Sequence, residues 1–353
     1  MANTGVLDTP ARTYTLDELT REGLVRADAR PGGVPLVVRP KTDKLAKDQE
    51  AFFRWFEENK VLFDHLAAAH GAIMFRGFPM RDTPDFNRTM THYPPGARAY
   101  IGGNVYRDAL AERVYEATKA RKEYPLIPHQ EMAYMPKSPR MIAFWCKTAP
   151  WAGGETTVFD FRRMEQLLPR RMWDKVKACG VRYERNFRAP DSQVSPLRAL
   201  LHKDWPSAFE ATDRKTAEET CRAVGLECVW EPDGSLTTIY VAPGIVPHPL
   251  TGEPVWFNHI GPQSLHKRSL GPDRWQALVE EKPPGMRVPN TTLYGDGSPI
   301  PEEDLDEVFI AFEMLCQGFR WQDGDLLLID NYMTAHGRNP FEGTRDVQVS
   351  LLG

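Results

Sequence analysis

The apolar positions of the chain recur at helical spacing in some stretches and form short, strand-length runs in others. Between residues 47 and 69, apolar side chains at helical spacing with charges between them predict an amphipathic helix, broken near Asn59. Apolar runs of strand length occupy residues 72–75, 141–146 and 326–329. This mixture predicts buried strands that are covered by helices.

The segments between these runs complete the predicted order of elements. Thr83 as the N-cap and Pro84 at the first position predict a helix start. Further strands are predicted at 156–160, 180–187, 228–230, 235–241 and 251–259, and further helices at 161–168, 169–179, 205–225 and 301–316. Residues 1–45 are polar and irregular in pattern, and they predict a surface arm at the N-terminus.

Composition places the chain among ordinary globular proteins. It has 353 residues, 41% of them hydrophobic and 26% charged, and no internal repeat or linker divides it, so we expect one domain over residues 1–353. The net charge of −4 gives no electrostatic signature for binding nucleic acid or an anionic membrane. The five cysteines are odd in number and lack metal-binding spacing, which predicts free thiols. With no apolar leader and no run long enough to span a membrane, the expected location is cytoplasmic.

The first candidate for chemistry is a histidine and a carboxylate two residues apart, His129 and Glu131, directly after Pro128. In an extended backbone, side chains at this spacing point to the same side. The pair therefore offers one nitrogen and one oxygen ligand for a metal. The alternative is a surface histidine beside a solvated glutamate.

A second stretch near the C-terminus favours the metal site. The apolar run 326–329 leads to a polar turn and then to His336, and Arg345 follows nine residues later. Two histidines and one carboxylate form the facial triad of non-haem Fe(II) oxygenases. A co-substrate that chelates iron through a keto acid needs its far carboxylate bound, and an arginine can bind it through two parallel hydrogen bonds. The hydroxyls of Thr156 and Thr157, which follow Gly153-Gly154, could supply a further hydrogen bond to that carboxylate.

Two other residues compete for these roles. Arg338 lies in the same C-terminal motif and is a second candidate for binding the co-substrate. His259 could replace His336 as the distal ligand, but it has no arginine downstream at the corresponding spacing.

At this point the chain resembles the Fe(II)/2-oxoglutarate-dependent dioxygenases of the taurine dioxygenase and clavaminate synthase superfamily, and within it the SyrP-like branch. The resemblance runs from about Gly71 to the end and rests on five motifs: residues 71–78, 129–131, 153–156, 294–298 and 330–345. It implies a mainly β fold with α, a double-stranded β-helix (jelly-roll) barrel flanked by helices. It also implies His129, Glu131 and His336 as iron ligands, and Thr156 and Arg345 as the 2-oxoglutarate site.

The chain departs from the family pattern at two positions. Glu131 stands where aspartate is commoner, as in the clavaminate synthase branch, so iron binding is still expected. In taurine dioxygenase, a second arginine four residues after the first grips the sulfonate, and here that position is Val349. This difference argues against a sulfonate substrate.

Residues 93–125 have little periodicity and carry Pro94-Pro95 and Gly102-Gly103. A long irregular segment directly before the metal ligands predicts an active-site lid. We expect Asn104, Tyr106 and Arg107 in it to contact substrate, with Asn258 as a further candidate from outside the lid. The alternative is that the segment packs only on itself.

The activity that the resemblance implies is decarboxylation of 2-oxoglutarate with O2, coupled to hydroxylation of an unactivated C–H bond. The SyrP-like branch points to an amino-acid-like small molecule, free or tethered to a carrier protein, in specialised metabolism. Desaturation, epoxidation and ring formation stay open as outcomes, whereas Glu131 argues against halogenation. Two rivals are a barrel that only binds a ligand and a hydrolytic zinc enzyme, which would need no arginine clamp. The sequence does not establish the oligomeric state.

Overall fold

A seven-stranded sheet and a four-stranded sheet enclose the site that the sequence predicts. The computed structural model describes residues 14–30, 32–96, 109–117 and 120–353. The α-helices in the described part are α1 Leu16–Thr20, α2 Asp43–Lys47, α3 Gln49–Glu58, α4 Lys60–His70, α5 Thr83–Met90, α6 Met164–Leu167, α7 Arg170–Cys179, α8 Pro196–Leu201, α9 Trp205–Phe209, α10 Arg214–Ala223, α11 Lys267–Trp275 and α12 Glu302–Leu315. A 3-10 turn precedes α6 at Phe161–Arg163, and a π-helical turn follows α11 at Gln276–Glu280.

The strands are short, as the apolar runs predict. They are β1 Val25–Ala29, β2 Leu36–Pro40, β3 Ala72–Phe75, β4 Tyr115–Glu116, β5 Leu126–His129, β6 Met141–Thr148, β7 Ala152–Gly153, β8 Thr156–Asp160, β9 Val181–Phe187, β10 Glu227–Trp230, β11 Leu236–Ala242, β12 Ile245–Pro247, β13 Pro254–Trp256, β14 Asn290–Tyr294, β15 Cys316–Phe319, β16 Leu326–Asp330, β17 Thr334–Arg338, β18 Phe341–Glu342 and β19 Asp346–Leu352.

Three sheets matter for the site. The large sheet has the order β1-β2-β3-β16-β6-β19-β4, and the smaller one facing it has the order β15-β8-β17-β5. A further four-stranded sheet, β10-β11-β9-β14, is here called the side sheet. All pairs in these sheets are antiparallel except β2 with β3. This is the predicted mainly β jelly-roll barrel with flanking helices.

Apolar side chains of the two barrel sheets fill the space between them. Phe144 on β6 and Val349 on β19 belong to one buried cluster with Val158 on β8 and Ala335 on β17. A second cluster lies on the outer face of the large sheet, where α3 and α4 cover it with Phe52, Phe56 and Phe63, among others. The amphipathic pattern of residues 47–69 therefore covers the barrel, and it breaks at Asn59 as predicted.

Three local predictions need correction. Residues 25–40, expected as part of an irregular arm, supply β1 and β2 to the large sheet. The N-cap of α5 is Asp82, whose carboxylate accepts from the amide of Asp85, and not Thr83. The helix predicted over 205–225 is two helices, α9 and α10, separated at Glu210, which has a left-handed backbone with φ 51°.

Part of the predicted lid lies outside the described residues. Asn104, Tyr106 and Arg107, the lid residues expected to contact substrate, belong to that part. In the described part of the segment, β4 pairs with β19 and forms the edge of the large sheet. No helix among the described residues is long and apolar enough to cross a membrane.

Because β17 pairs closely with β5 and β8, we predict that a side chain at Gly337 destabilises the fold. A Cβ at this position would lie 2.5 Å from the carbonyl oxygen of Leu126 and 2.8 Å from Oγ1 of Thr157. Gly337→Ala should therefore push the strands apart and lower the free energy of unfolding by about 1–3 kcal/mol, measured by denaturant titration. Gly318→Ala on β15 is the matched control, because the nearest atom to its added Cβ, Cβ of Glu155, is 4.0 Å away. Equal stability of the two variants would contradict the steric argument.

Candidate active site

Two histidines and one glutamate converge at one end of the barrel. The ligand atoms of His129, Glu131 and His336 all lie within 4.8 Å of one another. Oε2 of Glu131 is 3.9 Å from Nε2 of His129 and 3.8 Å from Nε2 of His336. One metal ion can contact all three at this spacing, and two imidazoles with one carboxylate fit Fe(II) with positions left open. The structure thus brings together the three residues that the sequence singled out.

The register of two strands places the histidines side by side. His129 on β5 is directly opposite His336 on β17, and their ring centres are 4.4 Å apart. Nδ1 of His129 lies 2.9 Å from the carbonyl oxygen of Ile127. Because a carbonyl can only accept, Nδ1 carries the proton and Nε2 presents its lone pair to the cluster. The backbone thus fixes the tautomer that metal binding needs.

Asn331 holds the glutamate in place from the turn between β16 and β17. Its Oδ1 accepts from the amide of Glu131 at 2.7 Å, and its Nδ2 donates to the carbonyls of Glu131 at 3.0 Å and Pro139 at 2.8 Å. Gln130 lies between the two ligands, and its Nε2 donates to the carbonyls of Trp256 and Tyr332. Two buried amides therefore fix the backbone of the ligand pair.

His259, the alternative distal ligand, lies beside the cluster and outside it. Its Nε2 is 2.5 Å from the carbonyl oxygen of Gln130, and its backbone amide donates to the Tyr183 hydroxyl. Burial, and then the neighbouring His129, lower the pKa of His259 to about 3. A neutral His259 supports the backbone between the two ligands.

Arg345 and Thr156 meet although they come from different sheets. Arg345 directly precedes β19 of the large sheet, whereas Thr156 begins β8 of the smaller sheet. The guanidinium donates to the carbonyl of Gly154 at 3.1 Å and to Oγ1 of Thr156 at 3.4 Å. Burial, and then the nearby Arg338, lower the pKa of Arg345 to about 10, so it is still a cation at neutral pH. A Cβ at Gly154 would lie 3.2 Å from Cδ of Arg345, so the glycine gives this side chain its room.

Arg338 has a different place from the one predicted. Its guanidinium donates to the carbonyl oxygens of Ala120, Arg121 and Tyr124 at 3.1, 2.8 and 2.9 Å. These three bonds tie the described end of the predicted lid segment to β17. Arg338 thus ties the 120–124 backbone to β17, and these bonds favour Arg345 over Arg338 as the residue that binds 2-oxoglutarate.

A cavity of about 560 Å³ opens at the metal cluster. His129 and Glu131 line it, together with residues 120, 121, 124 and 125 from the tethered segment and residues 126 and 127 from β5. Asn258, predicted to contact substrate, is not among its lining residues. Nδ2 of Asn258 donates to the carbonyl of Gly244, and its Oδ1 accepts from the amide of Ile260, so both polar atoms of the side chain are bonded within the fold.

The sequence analysis singled out none of the arginines and lysines of this cavity. Arg185 on β9 and Lys203, between α8 and α9, both line it. A signal for Arg185 was present: with period-two alternation, it shares a strand face with Val181, Tyr183 and Phe187, all of which are buried. An arginine in the apolar phase of a strand marks a buried polar site.

Comparisons with known proteins agree with this geometry. The family model described as "Taurine catabolism dioxygenase TauD, TfdA family" matches residues 39–351. The chain is 29% identical to the dapdiamide synthesis protein DdaC of Enterobacter agglomerans, over 82% of this chain and 84% of that protein. It is also 29% identical to a clavaminate synthase-like protein of Arabidopsis thaliana, over 90% of this chain and 93% of that protein. The solved structure of the PvcB protein of Pseudomonas aeruginosa shares the fold, with a TM-score of 0.50 and 17% identity over 93% of this chain and 91% of that chain.

The bonds of Asn331 to the Glu131 backbone predict an effect on metal affinity. Asn331→Ala should weaken Fe(II) binding about 10- to 100-fold, because the carboxylate loses the support that orients it. The measurement is anaerobic calorimetric titration with Fe(II), after circular dichroism has confirmed that the variant folds. Asn339→Ala is the control, since the Asn339 side-chain amide donates to the Glu155 carboxylate in a solvent-exposed hydrogen bond. A variant whose affinity stays within twofold of wild type would refute this support.

Proposed function

This chain belongs to the taurine catabolism dioxygenase TauD, TfdA family, and on that premise we propose that it hydroxylates an unactivated C–H bond of a small, amino-acid-like substrate. The family membership confirms the predicted enzyme class, a dioxygenase, and the predicted cofactors, Fe(II) and 2-oxoglutarate with O2. The SyrP-like branch stays a prediction.

The observation that carries the proposal is the convergence of His129, Glu131 and His336 in one cluster, two of whose members, His129 and Glu131, line the cavity. These residues would hold Fe(II) through two nitrogens and one oxygen and leave the opposite positions free for co-substrate and O2. Arg345 would bind the far carboxylate of 2-oxoglutarate, with the Thr156 hydroxyl as second donor. Bound Fe(II) with 2-oxoglutarate and O2 supplies the oxidising power, and the protein positions the substrate and excludes water.

The substrate class rests on two supports. The relative from Enterobacter agglomerans is named for the synthesis of dapdiamide, which favours a role in specialised metabolism. The cavity also presents polar side chains beside apolar ones, with Arg185, Asn186 and Lys203 among them. Both fit a small molecule with amino-acid-like polarity, free or tethered to a carrier protein.

The single domain over residues 1–353 and the lid over 93–125 remain part of the proposal. In favour of the lid, the described end of the segment lines the cavity and is tethered by Arg338.

Turnover tests the proposed reaction directly. With Fe(II), 2-oxoglutarate and O2, across a panel of free and carrier-tethered amino acids, we expect succinate together with a gain of one oxygen in one compound. Glu131→Ala should form no succinate, because it lacks the only oxygen ligand of the cluster. A loss of two hydrogens would replace hydroxylation by desaturation or ring closure. Succinate without any change in the panel would reject the amino-acid-like substrate, and no succinate at all would reject the reaction.

The two arginines of the C-terminal motif form a matched pair for the co-substrate. Arg345→Ala should raise the KM for 2-oxoglutarate roughly 30- to 150-fold, since charge-assisted hydrogen bonds of a partly buried carboxylate contribute about 2–3 kcal/mol. Arg338→Ala should change this KM much less, because its guanidinium binds backbone carbonyls. Steady-state succinate formation measures both. The reverse ranking would show that Arg338 binds the co-substrate.

A further inference from the structure

The side sheet places an arginine on the inner face of the cavity. Arg185 on β9 is only 3% exposed and points to the same side as Tyr183 and Phe187. Its guanidinium carbon lies 4.9 Å from the ring centre of Tyr134 and 5.0 Å from that of Phe187. Two aromatic rings thus hold the planar cationic group at the cavity wall.

A second cation, Lys203, lines the same cavity. Burial, and then the positive charge of Arg185, lower the pKa of Lys203 to about 8, while Asp204 acts in the opposite direction. The two cations therefore lie close enough to repel each other. Bringing like charges together beside a cavity is favourable when an anion binds between them.

The charge of the described cavity wall is one-sided. Its basic residues are Arg121, Arg185, Lys203 and Arg274, whereas the one carboxylate among its described lining residues is Glu131. Glu131 belongs to the metal cluster. Within the described wall, the cavity thus offers cations to an anionic group and no further carboxylate to an ammonium group.

The remainder of the wall is largely apolar. The leucines of α8, Leu197, Leu200 and Leu201, line the cavity next to Lys203, and Leu270 and Leu278 come from the region of α11. Such side chains favour an apolar body on the ligand.

We propose that the substrate is a free carboxylate with an apolar body, and that Arg185 and Lys203 bind its carboxylate while the leucines contact the body. This inference rests on the proposed function and narrows its substrate class. A carboxyl group that forms a thioester with a carrier has no negative charge for the two cations to bind. A free carboxylate with its amine acylated or absent fits the described wall better than a carrier-bound amino acid does.

Binding of matched acids and amides tests the proposal without turnover. The probes are straight-chain carboxylates of six to ten carbons and N-acetyl derivatives of leucine, phenylalanine and methionine, each paired with its neutral primary amide. Calorimetry under anaerobic conditions, on the enzyme with Fe(II) and 2-oxoglutarate, gives the ratio of the two dissociation constants. In the wild type, we expect at least one acid to bind ten times or more tightly than its amide.

Variants of Arg185 and Lys203 test whether these two cations cause the preference for the acid over the amide. Arg185→Gln and Lys203→Met should each reduce the acid-to-amide preference at least fivefold, and Arg185→Lys should retain part of it. Arg182→Gln is the matched control on the same strand, because Arg182 pairs with Glu184 on the other face and should leave the preference unchanged. Lys203→Met keeps the test decisive if removal of the stacked Arg185 unfolds the chain.

Two results would overturn the proposal: no acid in the panel binds more tightly than its amide, or the preference persists in both Arg185→Gln and Lys203→Met. Failure of the proposed reaction is recognised separately. Succinate formation in the absence of substrate measures the reaction itself, and it should be equal in wild type and Arg182→Gln, because Arg182 is not among the residues that line the cavity. A wild type that prefers acids but forms no succinate would keep the anion site and reject the reaction.

Discussion

The antiparallel pairing of β5 with β17 is the constraint on which the site depends. It places His129 opposite His336, so that two residues separated by more than half of the chain present neighbouring nitrogens. The close approach of the strands is possible because Gly337 has no side chain to meet the Leu126 carbonyl. Glu131 then needs only a fixed backbone, which Asn331 provides from the turn that leads into the same β17.

The stretch from His336 to Arg345 contributes to the metal cluster, the cavity rim and the proposed 2-oxoglutarate site. It can do so because it leaves the smaller sheet at the end of β17 and enters the large sheet at β19. His336 faces the metal cluster, and Arg338, two residues on, ties the 120–124 backbone to β17. The chain then passes through β18 and reaches Arg345, which crosses to Thr156 on the opposite sheet. A shift of β17 would therefore disturb the metal cluster and the cavity rim together.

Local patterns in the sequence predicted the metal cluster and many of the strands, whereas the arrangement of those strands in a jelly-roll barrel was implied by the family resemblance. Period-two spacing places the side chains of His129 and Glu131 on the same side of the chain, and the apolar run 326–329 predicts the strand before His336. Long-range pairings are not visible in such patterns, and so the parallel pairing of β2 with β3 was missed. For the same reason, the sequence did not predict the contacts of Arg338 and Asn258, because their partners are backbone carbonyls that only folding brings near. The break at Glu210 was missed because no glycine marks the left-handed residue.

The division of labour among the sheets has a consequence for how such enzymes diversify. Arg185 and its strand belong to the side sheet, which contributes none of the three residues of the metal cluster. Mutations that accumulate in β9 or α8 alter the far wall of the cavity and leave β5 and β17 untouched. A lineage built on this scaffold can thus inherit the oxidative chemistry intact while selection reshapes which molecule is admitted to it.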